Sequence, residues 1–358
     1  MNIEDIVHLL CDPISGADLR LSADNLYLSS DDNSYPIRDN IIDFHSTSEG
    51  TQNQTADAFA IKWNKRDKIN AEKAEYRQKE WYLELYGFDS EDDLAAFLQT
   101  KQVIIDAGAG SGYKAAWFAS LARSSTIIAI EIAESIYDDC MKYSNPNLFF
   151  IRGDISILPV KDHVADYISC DQVIHHASSP QQTFQLLCRK LKQESEFSCY
   201  VYRKKALPRE LLDDHFRTKS LTMSKDELME MSCQLTKLGK RLHSINIEFD
   251  CPEIPALGIK GGRTSIQRFL YWNFIKCFWN EELGEKLSTL CNFDWYAPSQ
   301  ASRYSKEAYL EWVYENKLEI IHFHEEEACF SGRFKKAKKL SKTAKNISLQ
   351  SQFLKAIK

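Results

Sequence analysis

Short runs of β-branched apolar residues alternate along this chain with longer stretches in which apolar residues recur every three or four positions. Val103, Ile104 and Ile105 form one such run, closed by an acid, Asp106, and by glycines at alternate positions, Gly108, Gly110 and Gly112. A helix-forming stretch, YKAAWFASLA, follows. This pattern predicts a buried strand, a tight turn and a helix N-terminus, an arrangement that lets backbone approach a nucleotide-like ligand. The runs TIIAIEIA, LFFIRGD, ADYISCDQVIHH and EFSCYVYRKK predict further strands, with the helical stretches IYDDCMKYSN and SPQQTFQLLCRKLKQ between them. Strands alternating with helices argue for a parallel α/β sheet.

On either side the pattern changes. Residues 1–50 carry short apolar runs broken by turn residues and read as a compact β-rich module. Residues 51–100 are polar and helical in tendency. EDDLAAFLQ places Leu94, Phe97 and Leu98 at helical spacing, with Ser90 and Asp93 arranged as a helix start. In residues 204–300, SKDELMEMSCQLTKLGKRL and TSIQRFLYWNFIKCFWNEELGEKL predict two long helices, the second dense in aromatics that make either a buried helix or seam, an apolar substrate pocket or a dimer surface. Between them GIKGGRTS reads as a flexible glycine loop whose Gly-Gly-Arg suits an anion.

Composition narrows the function classes. A 358-residue chain that is 44% hydrophobic supports one large domain with an appendage, or two. A net charge of −6 gives no general attraction to nucleic acid or anionic membranes. No run approaches the roughly 18 apolar residues of a membrane span, and MNIEDIVHLL lacks a signal-peptide core. Ten cysteines occur without a C-x-x-C pair, which points to reduced thiols and a cytoplasmic protein.

The D-x-G-x-G-x-G turn at 106–112 departs from the dinucleotide fingerprint and resembles the first motif of class I S-adenosylmethionine (SAM)-dependent methyltransferases. GDISILPVKD, DYISCDQVIHH, YVYRKKALPRE and FDWYAPSQASRYSKEAYLEW, in that order, resemble later motifs of the type 11/12 branch, so the resemblance covers most of residues 5–335. It implies a Rossmann-like, seven-stranded, mostly parallel α/β sheet with a closing antiparallel hairpin, a small β-rich N-terminal module and a helical cap insertion. The implied division is module 1–50, helical entry or lid segment 51–100, SAM-binding core 101–203, cap 204–300, closing helix and hairpin 301–335, and basic tail 336–358. Within the entry segment, TQNQTADAFAIKW resembles the family's T-x-x-x-F-G-x-x-W, with Phe59 and Trp63 on one helix face.

The same resemblance implies SAM as cofactor and no metal. Asp106, Gly108, Gly110 and Gly112 would wrap its methionine part. Glu131 would accept from the ribose hydroxyls, Asp154 from the adenine amino group with Ile155 on the ring, and Asp171 would stand near the methyl group. His176, and less directly His175, are candidate bases, because imidazole titrates near pH 6.5; bonding to backbone is the alternative. Arg203, Lys204, Lys205 and Arg209 make either a cradle for a carboxylate or phosphate or a solvated loop. Trp295, Tyr296 and Arg303 are either substrate contacts or packing.

Residues 1–50 resemble the Trm112-like, zinc-ribbon-derived module, with YPIRDNIIDF as its signature. Of that family's four cysteines only Cys11 remains, with Ile14, Leu28 and Asp31 in the other places. One thiolate cannot hold a tetrahedral zinc, so a metal-free module is expected. The implied activity is methyl transfer to an O or N nucleophile of a small or carrier-held metabolite, such as an anionic sugar or natural-product intermediate. An RNA-modifying enzyme and a non-catalytic partner-binding scaffold are the alternatives, and a homodimer remains open.

Overall fold

The apolar runs become strands because each is buried on both faces. In the computed structural model, which describes residues 2–45 and 68–338, the N-terminal strands are β1 (Arg20–Leu21), β2 (Tyr27–Ser29), β3 (Ser34–Arg38) and β4 (Ile41–Asp43). The central strands are β5 (Val103–Ala107), β6 (Thr126–Glu131), β7 (Leu148–Arg152), β8 (Ala165–Cys170) and β9 (Leu191–Arg203). β10 (Glu248–Cys251) and β11 (Gly262–Ser265) form a separate hairpin, the short β12 (Arg303–Tyr304) pairs with β9, and β13 (Leu318–Glu325) and β14 (Cys329–Lys336) close the chain.

The core runs β7-β6-β5-β8-β9-β14-β13, parallel from β7 to β9 and antiparallel from β9 onward, seven strands as expected. Alternate residues of β5 supply the two faces. Val103, Ile105 and Ala107 pack with Ile128, Ile130, Phe184 and Leu187, whereas Ile104 packs with Ile127, Leu148 and Phe118. Glu194 takes a left-handed φ of 66° and the β8–β9 register shifts between Ala165 and Tyr167, so the connection becomes part of β9.

The N-terminal residues do not stand apart from this sheet. β4 pairs in parallel with β7 (Ile42 opposite Ile151), and β3, β2 and β1 follow, so one sheet of 12 strands runs through both regions. Its turns are tied by the buried Asp12. That carboxylate accepts from the Ile14 and Ser15 amides, from Ser30 Oγ at 2.5 Å, from Asn33 Nδ2 at 2.9 Å and from Tyr35 Oη at 3.0 Å. Burial pushes this group upward, but the hydrogen bonds outweigh it and hold the carboxylate well below the usual range.

The helix Glu91–Gln99 begins as expected, with Ser90 Oγ accepting from the Asp93 amide at 3.1 Å. In the cap, Lys225–Ile245 forms one helix behind a Ser224/Glu227 capping box. The second expected helix breaks into Ile266–Asn273 and Gly284–Tyr296. Tertiary contacts override its helical pattern between the two pieces. A Cβ on Gly239 would lie 2.3 Å from the Cys277 carbonyl, Gln267 donates to that carbonyl, and Asn292 bonds both the amide and the carbonyl of Phe278. GIKGGRTS is likewise not a free loop, since its last residues form β11. Phe59, Trp63 and the tail beyond residue 338 lie outside the described residues.

Candidate functional site

Strand order reverses at β5, which has the parallel neighbours β6 and β8. The connections leaving the C-terminal ends of β5 and β8 therefore diverge and open a crevice. The resulting cleft is lined by Gly108, Gly110, Lys114, Glu131, Asp154, Ile155, Asp171, Gln172 and His176, with Gln78 at its side.

The turn after β5 requires its glycines. Gly108 has φ 87°, and a Cβ there would lie 2.3 Å from Val173; Gly112 has φ 79°, and its Cβ would lie 2.9 Å from Phe150. The amides of Gly108 and Ala109 both donate to the Ile130 carbonyl, which pins the turn against β6. Glu131, at the tip of β6, accepts from the Gly110 amide at 2.8 Å and from the Ala133 amide at 2.9 Å. Burial raises this carboxyl, against those bonds. A carboxylate offers about four acceptor sites, so Glu131 both braces the loop and keeps capacity for a ligand hydroxyl.

A buried charge group underlies the loop. Asp106 is pushed up to about 6 by burial, against the pull of Lys114. Burial would lower the Lys114 ammonium, yet Asp106 and Asp171 outweigh it and hold it above the usual lysine value. Tyr86 donates to Asp171 at 2.8 Å. Lys114, Tyr86 and Gln78 are absent from the sequence-based expectation. The one available signal was a lysine in the otherwise apolar YKAAWFASLA.

Asp154 lines the cleft and also caps the short helical turn Ile155–Ile157, its Oδ1 accepting from the amide and hydroxyl of Ser156 at 2.8 and 2.6 Å. Ile155 follows at the cleft wall. The two histidines separate. His176 lines the cleft, and its Nδ1 lies 2.6 Å from the Gln300 carbonyl, which can only accept. The proton is thereby fixed on Nδ1 and the basic lone pair on Nε2. His175 is fully buried with its ring 3.7 Å from that of Tyr202, and it is not among the residues that line this cleft.

The expected substrate contacts divide as well. Arg209 is 1% exposed; it pairs with Asp213 at 2.7 Å and donates to the Tyr271 carbonyl. Tyr296 is fully buried and donates to Asp213 at 2.7 Å. Trp295 packs on Tyr202, and Arg303 pairs with Glu210 and Asp214. These four hold the cap together and line neither cleft described here, because the helix Leu207–Ser220 turns Arg209 inward. Arg203 instead lines a second cleft with Lys204 and Lys205.

Residues 105–199 match the model of a family described as a methyltransferase domain. An uncharacterised chloroplastic methyltransferase of Arabidopsis thaliana is 24% identical over 103 residues, 26% of this chain and 29% of the relative, so the match spans under a third of that protein's length. A SAM-dependent methyltransferase of Mesorhizobium loti superposes with TM-score 0.40 at 11% identity, covering 69% of this chain and 98% of that one. The 1,6-didemethyltoxoflavin-N1-methyltransferase of Burkholderia thailandensis gives 0.38 at 8% identity, covering 86% and 97%. Residues 105–199 are thus similar to a methyltransferase domain, and they lie in a mixed, mostly parallel Rossmann-like α/β sheet.

Proposed function

We propose that this protein transfers the methyl group of SAM to an O or N nucleophile of a small or carrier-held metabolite. The observation that carries this reading is the convergence, in one cleft over the β5/β8 switch point, of the glycine turn, Glu131, Asp154, Asp171 and the His176 ring. The residues suit the cofactor on their own chemistry. The glycine cradle has no room for Cβ atoms, carboxylates line a site for a cationic ligand, and Ile155 offers an apolar wall. Bound there, SAM supplies an electrophilic methyl on a sulfonium.

The turn Gly108–Gly112 and Asp171 orient the ligand's polar end, while Glu131 and Asp154 take its hydroxyl and amino donors. His176 Nε2 accepts the proton of an acceptor that arrives protonated, and the Gln300 carbonyl keeps the ring in the required tautomer. Holding the reactants in line and away from water can lower the barrier by roughly 7–11 kcal/mol. The four-stranded edge beginning at Arg20 is, in this reading, a metal-free relative of the Trm112-like module, with Asp12 joining the turns that a zinc would join.

Calorimetric titration with SAM and with its demethylated product tests the proposal. Micromolar binding of both, weakened at least tenfold in Glu131→Ala, supports it. Absence of saturable binding of either overturns it.

A further inference from the structure

A second cleft lies where β9 runs out into residues 203–206, and it shares no lining residue with the first. Its wall brings together four segments: the exit of β9, residues 258–264 leading into β11, the helix Ile266–Asn273, and Glu327 between β13 and β14. Arg203, Lys204, Lys205, Lys260, Arg263 and Arg268 line it, against the single carboxylate of Glu327.

Some of this charge is answered within the protein. Arg203 pairs with Glu325 at 2.9 Å, and Arg263 contacts Glu248 and Asp250 at 3.2 and 3.5 Å. Among the described residues no carboxylate lies within ion-pair distance of Lys204, Lys260 or Arg268. Lys205 donates to the carbonyls of Glu327 and Ala328 at 2.5 and 3.1 Å, and burial together with Arg209 and Lys276 pushes it down to about 7. A chain with a net charge of −6 therefore places six of its 45 lysines and arginines at one concave site, where like charges repel one another. Phe269 and Trp272 add an aromatic wall, with Lys205 Nζ 5.1 Å from the Trp272 ring.

We propose that this second cleft binds the phosphate-ester or diphosphate group of a small-molecule ligand. Three guanidinium groups line it, Arg268 among them without a carboxylate in ion-pair distance, and a guanidinium's planar donors match phosphate oxygens in pairs. SAM carries no phosphate, so the ligand is not the cofactor; assigning it as the methyl acceptor rests on the reading above, whereas its binding does not. A concave site with an aromatic wall favours a small molecule over nucleic acid, which is tracked by an extended basic stripe.

The test is calorimetric titration of the full chain with inorganic pyrophosphate at fixed ionic strength, with SAM titrated separately. Saturable one-to-one binding is expected. It should weaken at least tenfold in Arg268→Gln and in Lys204→Gln and stay unchanged in Lys240→Gln, whose lysine pairs with Glu285 elsewhere on the cap. Thermal melts unchanged from wild type would show that these exposed substitutions leave the fold intact. Non-saturable heats, or equal affinity in wild type and both cleft variants, would overturn the proposal. Tighter binding of an oligoribonucleotide, lost in the same variants, would replace the small molecule by RNA. Pyrophosphate binding without SAM binding would leave this site standing and remove the methyl-transfer reading instead.

Discussion

The ammonium of Lys114 lies 3.1 Å from Asp106 Oδ1 with both side chains buried, and 3.7 Å from Asp171 Oδ2. The first acid of the cofactor motif thus answers to a lysine on the helix that follows its own turn. Removing one partner of a buried pair costs more than the pair contributes, since the remaining charge is left uncompensated.

Lys114→Met should therefore destabilise the protein by about 3 kcal/mol or more at pH 8. Asp106 sits at about 6 in the folded protein, above its unfolded value of about 3.9. Its protonation contributes stability that is full below the lower value and lost as pH rises through the higher. Without the lysine the folded value rises further, so the deficit should shrink at pH 5. Denaturant unfolding at the two pH values decides; an equal deficit at both would remove Asp106 from the account.

Gly108→Ala should weaken SAM binding and lower stability by about 1–3 kcal/mol. The new Cβ meets Val173 at 2.3 Å, and φ is 87°. Adding Val173→Ala should restore part of the loss by removing the clashing methyls, while the φ strain persists. A double variant no better than the single one would show that Val173 is not the obstacle.

His176→Gln should leave the SAM dissociation constant within about threefold and reduce kcat by roughly 10²-fold or more, the usual range for a lost general base. An unchanged kcat would assign the histidine to loop packing through the Gln300 carbonyl.

Asp12→Ala should lower stability by on the order of 3 kcal/mol at pH 7, the scale of losing hydrogen bonds to a buried charge. Because the folded carboxylate is held below its unfolded value, this contribution exists above about pH 4 and fades as pH falls further. Hydrogen exchange should rise across β1–β4 with SAM affinity unchanged, whereas protection equal to wild type would show that the turns hold without Asp12.

What the sequence by itself determined is local. Three β-branched residues, an acid, three spaced glycines and a helix former prescribe the strand, turn and helix at residues 103–121, because each constraint acts within a few residues. Ser90 and Ser224 mark helix starts for the same reason. Tertiary structure decided everything that depends on distant partners. Lys114 and Tyr86 find a shared partner only once β8 brings Asp171 beside them, and the His176 tautomer is fixed by a carbonyl 124 residues away. One cluster of four cations in the sequence is split, Arg209 turned into the cap and Arg203, Lys204 and Lys205 left at the second cleft. Charge and periodicity say which side chains need partners. Which partners they find is settled by packing, through contacts that no local pattern encodes.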